Sequence, residues 1–189
     1  MDILKQSQYN FIQNEIWILT FGAAFQRSGI YNKIATDKQK ACFKTKTRDF
    51  INNVLLDNYK TEKVTDEQHI ENINSICDYS ANFYDIFSKG RINFGIAQKM
   101  LNLYLKYMWS LGHIQEPPHF PVDRIIQIML IDQAKRMGIP SIGLEAWTKF
   151  NDEKHYLKVI NSARELIGKN ENYQSHSLAE LELELFDRR

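Results

Sequence analysis

Proline interrupts helices, because it lacks a backbone donor and its ring clashes with the preceding turn. In this chain Pro117, Pro118 and Pro121 stand together and Pro140 stands alone, and no proline precedes Pro117. The first two thirds of the chain are therefore free to be helical, and the apolar spacing agrees. Phe11, Ile16, Ile18, Leu19, Phe21 and Phe25 predict a largely buried first helix ending near Ser28 and Gly29. A second helix is expected over residues 36–59, with Phe43, Phe50, Val54 and Leu55 on its inner face.

Thr65-Asp66-Glu67-Gln68 has the form of a capping box and opens a third helix, carrying Ile70, Ile73, Ile76, Cys77, Phe83 and Phe87 as far as the glycine turn at Ser88-Lys89-Gly90. Another helix begins near Phe94-Gly95 and runs through Ala97, Leu101, Leu105 and Met108 to Leu111. A polar, proline-rich connector covers 112–121. Asp123 then opens a helix with Ile125, Ile126, Met129 and Leu130 inward, closed by Gly138-Ile139-Pro140. Two more helices fit 151–168 and 178–186. The expected fold is all-α: one compact multi-helix domain over 1–168, followed at 169–189 by a polar linker and an acidic C-terminal helix.

Composition narrows the classes. The chain has 189 residues, 43% hydrophobic and 25% charged, which is ordinary for a folded soluble domain and long enough for its own core. Cys42 and Cys77 are too few to hold an iron–sulfur cluster or zinc finger. Two free thiols in a reducing compartment is the expected state, one disulfide the alternative. The start MDILKQSQYN is not a signal peptide, and no segment is apolar enough to span a bilayer. The protein is expected in the cytoplasm. His69, His113, His119, His155 and His176 lack metal-ligand spacing, and there is no phosphate-loop, dinucleotide or nucleophile-elbow motif. No metal and no cofactor is expected.

Net charge is +1, but its distribution is uneven. Lys33, Lys38, Lys40, Lys44, Lys46 and Arg48 gather in one segment, with Asp37 the one acid among them, whereas Glu180, Glu182, Glu184 and Asp187 load the tail. Such a basic run suits phosphates; a solvated helix face is the plainer reading.

The segment 85–126 carries the chemistry. It is read as helix, short glycine hairpin, helix, connector, then an aspartate at a helix start. A helix N-terminus after a tight hairpin offers free N–H groups and a positive dipole end to a phosphate, and Lys89 and Arg91 lie in that hairpin. The run Gly95-Ile96-Ala97-Gln98-Lys99-Met100-Leu101-Asn102, followed by Pro121-Val122-Asp123, resembles the helix-hairpin-helix DNA glycosylases, in which a glycine- and lysine-bearing hairpin precedes a Pro-Val-Asp segment holding the catalytic aspartate. The likeness covers about forty residues, with the hairpin unit at about 67–111. The chain departs from the pattern in having Ala97 for the second hairpin glycine, a longer connector, and Ile125 where a histidine is common.

The resemblance implies a monomeric enzyme that removes a damaged or modified base from DNA. Asp123 would stabilise the sugar cation or activate a nucleophile; as a bare sequence feature it is equally a helix cap. Lys99 would attack the sugar C1′ and nick the strand, or else Asp123 activates water and leaves an intact abasic site. Lys89, Gly90, Arg91, Gly95, Lys44 and Lys46 would hold the DNA backbone. A base must be rotated out of the duplex to react, and Gln98, Tyr104, Trp109, His119 and Trp147 are the expected pocket, with Tyr107 and Phe120 as further stackers. Two other functions fit less of the pattern: a non-catalytic DNA-binding module, and a protein-interaction domain docking through Glu180, Glu182 and Glu184.

Overall fold

The structure is a computed structural model that describes residues 3–26 and 28–186; Asp187 lies outside them. It is all-α, and among the described residues there is no strand, only an isolated antiparallel bridge between Tyr31 and Phe87. The helices are α1 (Ile3–Phe25), α2 (Asp37–Phe50), α3 (Leu56–Thr61), α4 (Asp66–Ser80), α5 (Phe94–Ser110), α6 (Arg124–Met137), α7 (Glu153–Lys169) and α8 (Leu178–Leu185). No helix among the described residues is long and apolar enough to cross a membrane.

Local signals set most boundaries. Thr36 and Gln39, Thr65 and Gln68, and Ser177 and Glu180 form capping boxes at the starts of α2, α4 and α8. Gly138 ends α6 in the left-handed conformation, φ 65°. The core forms around α5, in which twelve of seventeen residues are buried. α1 and α4 pack against it, and Trp17 of α1 stacks on Tyr104 at 4.2 Å.

Four expectations are corrected. The first helix is not largely buried: Ile16, Trp17, Thr20, Phe21 and Ala24 form one inward stripe, while Phe11, Ile18 and Leu19 face outward. The helix expected at 36–59 is broken by a π-turn, Ile51–Leu55. Its extra residue shifts the helical phase, which returns Leu55, Leu56 and Tyr59 to the core and leaves Val54 exposed. The third helix stops at Ser80, and Ala81–Ile86 continues as a 3₁₀ segment with a kink at Phe83. Phe87 is thereby freed to stack on Tyr31 in the bridge. Finally, α8 is no tail: Leu178, Ala179 and Leu181 are buried against the body, beside α7 and α6.

Candidate functional site

The PVD segment and α5 meet at one point. Asp123 caps α6, its Oδ1 accepting from the N–H groups of Ile125 (2.8 Å) and Ile126 (3.0 Å). Its other oxygen, Oδ2, accepts from Lys99 Nζ at 2.7 Å. The cap and the charge pair thus use different oxygens of one carboxylate, so capping does not occupy the oxygen that faces Lys99.

Three glutamine and asparagine side chains fix that carboxylate. Gln98, fully buried, donates to the carbonyl of Val122 (2.8 Å) and accepts from its N–H (3.1 Å), acting as a strand-like partner for the residue preceding Asp123. Asn102 donates to Gln98 Oε1 and to the hydroxyl of Tyr156. Gln127 donates to the carbonyls of Asp123 and Glu145 and accepts from the Glu145 N–H, tying the α6 start to the segment that leads to Trp147.

Lys99 and Asp123 line a cavity of about 440 Å³ that opens to solvent. Their side chains are 8% and 16% exposed. The walls include Trp147, Tyr107 and Leu19, with Phe186 at the end of α8. A second charged pair lies in the same wall: Lys106 Nζ stands 2.6 Å from Glu182 Oε2, and Lys106 sits over the Phe186 ring at 4.3 Å. Burial raises the Glu182 carboxyl above its ordinary range, against the pull of Lys106 and Lys99. A cavity of this size, with aromatic and apolar walls interrupted by Lys99, Lys106, Arg124, Asp123 and Glu182, has the proportions of a small-molecule or base pocket.

The expected site residues divide sharply. Lys99, Asp123 and Trp147 come together at the cavity, and Tyr107 joins them. Gln98 does not line the cavity: it is fully buried and bonded to Val122. Tyr104 is a core residue, stacked on Trp17 and bonded through its hydroxyl to Gln13 and Asn52. His119 is also core: Tyr156 meets its Nδ1 at 3.0 Å and Asp66 its Nε2 at 3.1 Å. Burial, helped by Arg164 and opposed by Asp66, lowers its pKa to about 4, so it is neutral near pH 7. Trp109 is half-buried and packs on the core away from the cavity, and Phe120 is buried.

The hairpin differs from expectation at its key glycine. Gly95 is buried beneath the turn at Trp147–Lys149, and its N–H donates to the Phe150 carbonyl at 3.0 Å. The Ile96 N–H is taken by Asn93 Oδ1, the Ala97 N–H by the Asn93 carbonyl. These donors of the α5 start are therefore satisfied within the protein, and Gly95 is corrected from a phosphate contact to a packing position. Gly90 adopts φ 73° in the turn before it. Lys89 and Arg91 are exposed beside it, Arg91 pairing with Asp78 at 2.6 Å. Lys46 is exposed, and Lys44 lies over the ring of Phe21; neither lines the cavity.

Lys106 and Phe186 were not anticipated, and Glu182 was expected in a docking surface, not in this cavity. The signal for Lys106 was its spacing of two helical turns from Lys99. For Glu182 it was the apolar series Leu178, Leu181, Leu185, which makes α8 a docking helix and puts Glu182 one turn from Leu178 on its inner side. Among the described residues no cluster of three metal-binding side chains occurs. No protein-family model, no curated protein and no solved structure matches this chain.

Proposed function

We propose that this protein is a DNA glycosylase that removes a damaged or modified base, acting as a monomer in the cytoplasm. One observation carries the reading: an amine and a carboxylate 2.7 Å apart, on α5 and at the start of α6, in the wall of an open, partly aromatic cavity. The sequence order of hairpin, Lys99 and Asp123 supports it independently.

The chemistry follows from the pair. A base rotated out of the duplex enters the cavity and meets Trp147 and Tyr107. Asp123 Oδ2 accepts a proton from Lys99 Nζ, and the free amine attacks C1′ of the sugar. The bond from C1′ to the base nitrogen breaks, and its electron pair leaves with the base. The departing base takes up the proton that Asp123 received, and the carboxylate so restored beside C1′ stabilises positive charge on the sugar. The ammonium formed on C1′ gives a proton to Asp123, the C1′–O4′ bond breaks with O4′ taking up a proton, and the ring-opened Schiff base supports strand cleavage. Lys89 and Arg91, on the turn before α5, supply positive charge for the phosphate backbone.

The test is incubation of the protein with DNAs carrying different modified bases, hypermodified phage DNA included, with measurement of released base. Borohydride then traps any Schiff base to Lys99. Base release lost in Asp123→Asn, and trapping lost in Lys99→Gln, is the expected result. Base release that survives in Lys99→Gln, leaving intact abasic sites, assigns the attack to water activated by Asp123. No release from any DNA overturns the reading.

A further inference from the structure

The cavity holds more charge than the reaction at C1′ requires. Lys106 and Glu182 do not contact Asp123 or Lys99 by hydrogen bonds, yet they share their cavity. Glu182 is 2% exposed and the Lys106 side chain 14%. A pair so withdrawn from water adds little stability over apolar residues of the same volume. It does, however, put an acceptor and a donor side by side in the wall. Glu182 Oε2 is occupied by Lys106, while Oε1 has no hydrogen-bond partner among the described residues, and Lys106 Nζ makes no other hydrogen bond there.

We propose that the Lys106–Glu182 pair reads the edge of the base held in this cavity, and that the base is a neutral one presenting an N–H beside an acceptor. This rests on the glycosylase reading above. The free Glu182 oxygen accepts from the base N–H, and the remaining Lys106 protons donate to its carbonyl or ring nitrogen. Bases made cationic by N-alkylation are excluded on two counts. Lys99, Lys106 and Arg124 outnumber Asp123 and Glu182 in the wall, so the cavity offers a cation no surplus of negative charge. In addition, the face of Phe186 that would attract a cationic ring is covered by the Lys106 ammonium at 4.3 Å. Selectivity thus lies with α8 and the far end of α5, whereas bond breaking lies with Lys99 and Asp123.

The experiment uses three sets of duplex oligonucleotides. One carries neutral bases with such an edge (8-oxoguanine, uracil, hypoxanthine), one carries 7-methylguanine or 3-methyladenine, and one carries a bare abasic site. The wild-type protein, Lys106→Met, Glu182→Gln and the double variant Lys106→Met/Glu182→Leu are compared, the last keeping the wall apolar and free of unpaired charge. The wild type is expected to release a neutral base at least tenfold faster than either alkylated one. The variants should lose tenfold or more in kcat/KM for that base while borohydride trapping on the abasic duplex, which contains no base to read, stays within twofold. Faster release of an alkylated base overturns the proposal. So does unchanged release in all three variants, or a fall in abasic trapping as large as the fall in base release. A wild type that releases none of these bases, although it releases base from another modified DNA, defeats this proposal alone; release from no DNA at all defeats the glycosylase reading itself.

Discussion

Gly95 lies so close under Trp147 that a β-carbon on it would stand 1.7 Å from the Trp147 carbonyl oxygen. The obstacle is backbone, which cannot turn aside as a side chain can. The same contact holds the hydrogen bond from Gly95 to Phe150 and sets Trp147 at the cavity wall. Gly95→Ala is therefore expected to destabilise the protein by about 3 kcal/mol, read as a lower urea midpoint. It should also impair base release at temperatures where the variant is still folded, because Trp147 must move. A variant as stable as the parent would show that the turn yields without cost.

The divided use of the Asp123 carboxylate separates capping from chemistry. Asn caps a helix about as well as Asp, whereas Ala costs about 1 kcal/mol at such a position. Both Asp123→Asn and Asp123→Ala should lower base release about a hundredfold or more, yet thermal melting should rank Asn above Ala. Equal stability of the two variants would mean that the bonds to Ile125 and Ile126 contribute little.

Gln98 is a positioning residue by this geometry. Gln98→Leu leaves the N–H and carbonyl of Val122 buried without partners, which costs about 2 kcal/mol. Because Val122 adjoins Asp123, kcat for base release should fall more than tenfold with little change in KM. A stability loss with kcat unchanged would reduce Gln98 to a purely structural role.

His119 makes the fold sensitive to acid. The unfolded chain protonates this imidazole near its ordinary value of 6.5, while the folded protein keeps it neutral down to about 4. Its contribution is intact above pH 6.5 and is lost as the pH falls from 6.5 towards 4, by up to about 3 kcal/mol. The groups facing it are Asp66, Arg164, Tyr156 and His69, and His69, buried and likewise held neutral, adds in the same direction. Denaturant midpoints measured between pH 7 and 4.5 should drop, and His119→Gln should shallow that drop. A parallel pH dependence in the variant would assign the acid response elsewhere.

How far the sequence disclosed this arrangement depended on the range of the interaction. Caps and stops are local, so Thr65, Asp123 and Gly138 were legible from a few neighbours each. Lys99 and Asp123 were paired through the order of their motifs. Tyr104 was read as a pocket group for its ring on α5, and His119 for its place on the connector before Asp123. That helix is buried on nearly every side, so its periodicity marks no outward face, and the partners that claim the two rings, Trp17 and Tyr156, come from α1 and α7. The phase shift at Ile51–Leu55 has no compositional mark at all. Glu182 was grouped with Glu180 and Glu184 as a surface acid, although the leucines around it place it inward.

The burial of α5 has one more consequence. A helix gripped on so many sides can neither roll nor slide, so the separation of Lys99 and Lys106 is fixed at seven helical rises, about 10 Å along the axis. The cavity wall therefore carries a built-in ruler, graduated by two cations, against which anything that enters is gauged before it is held.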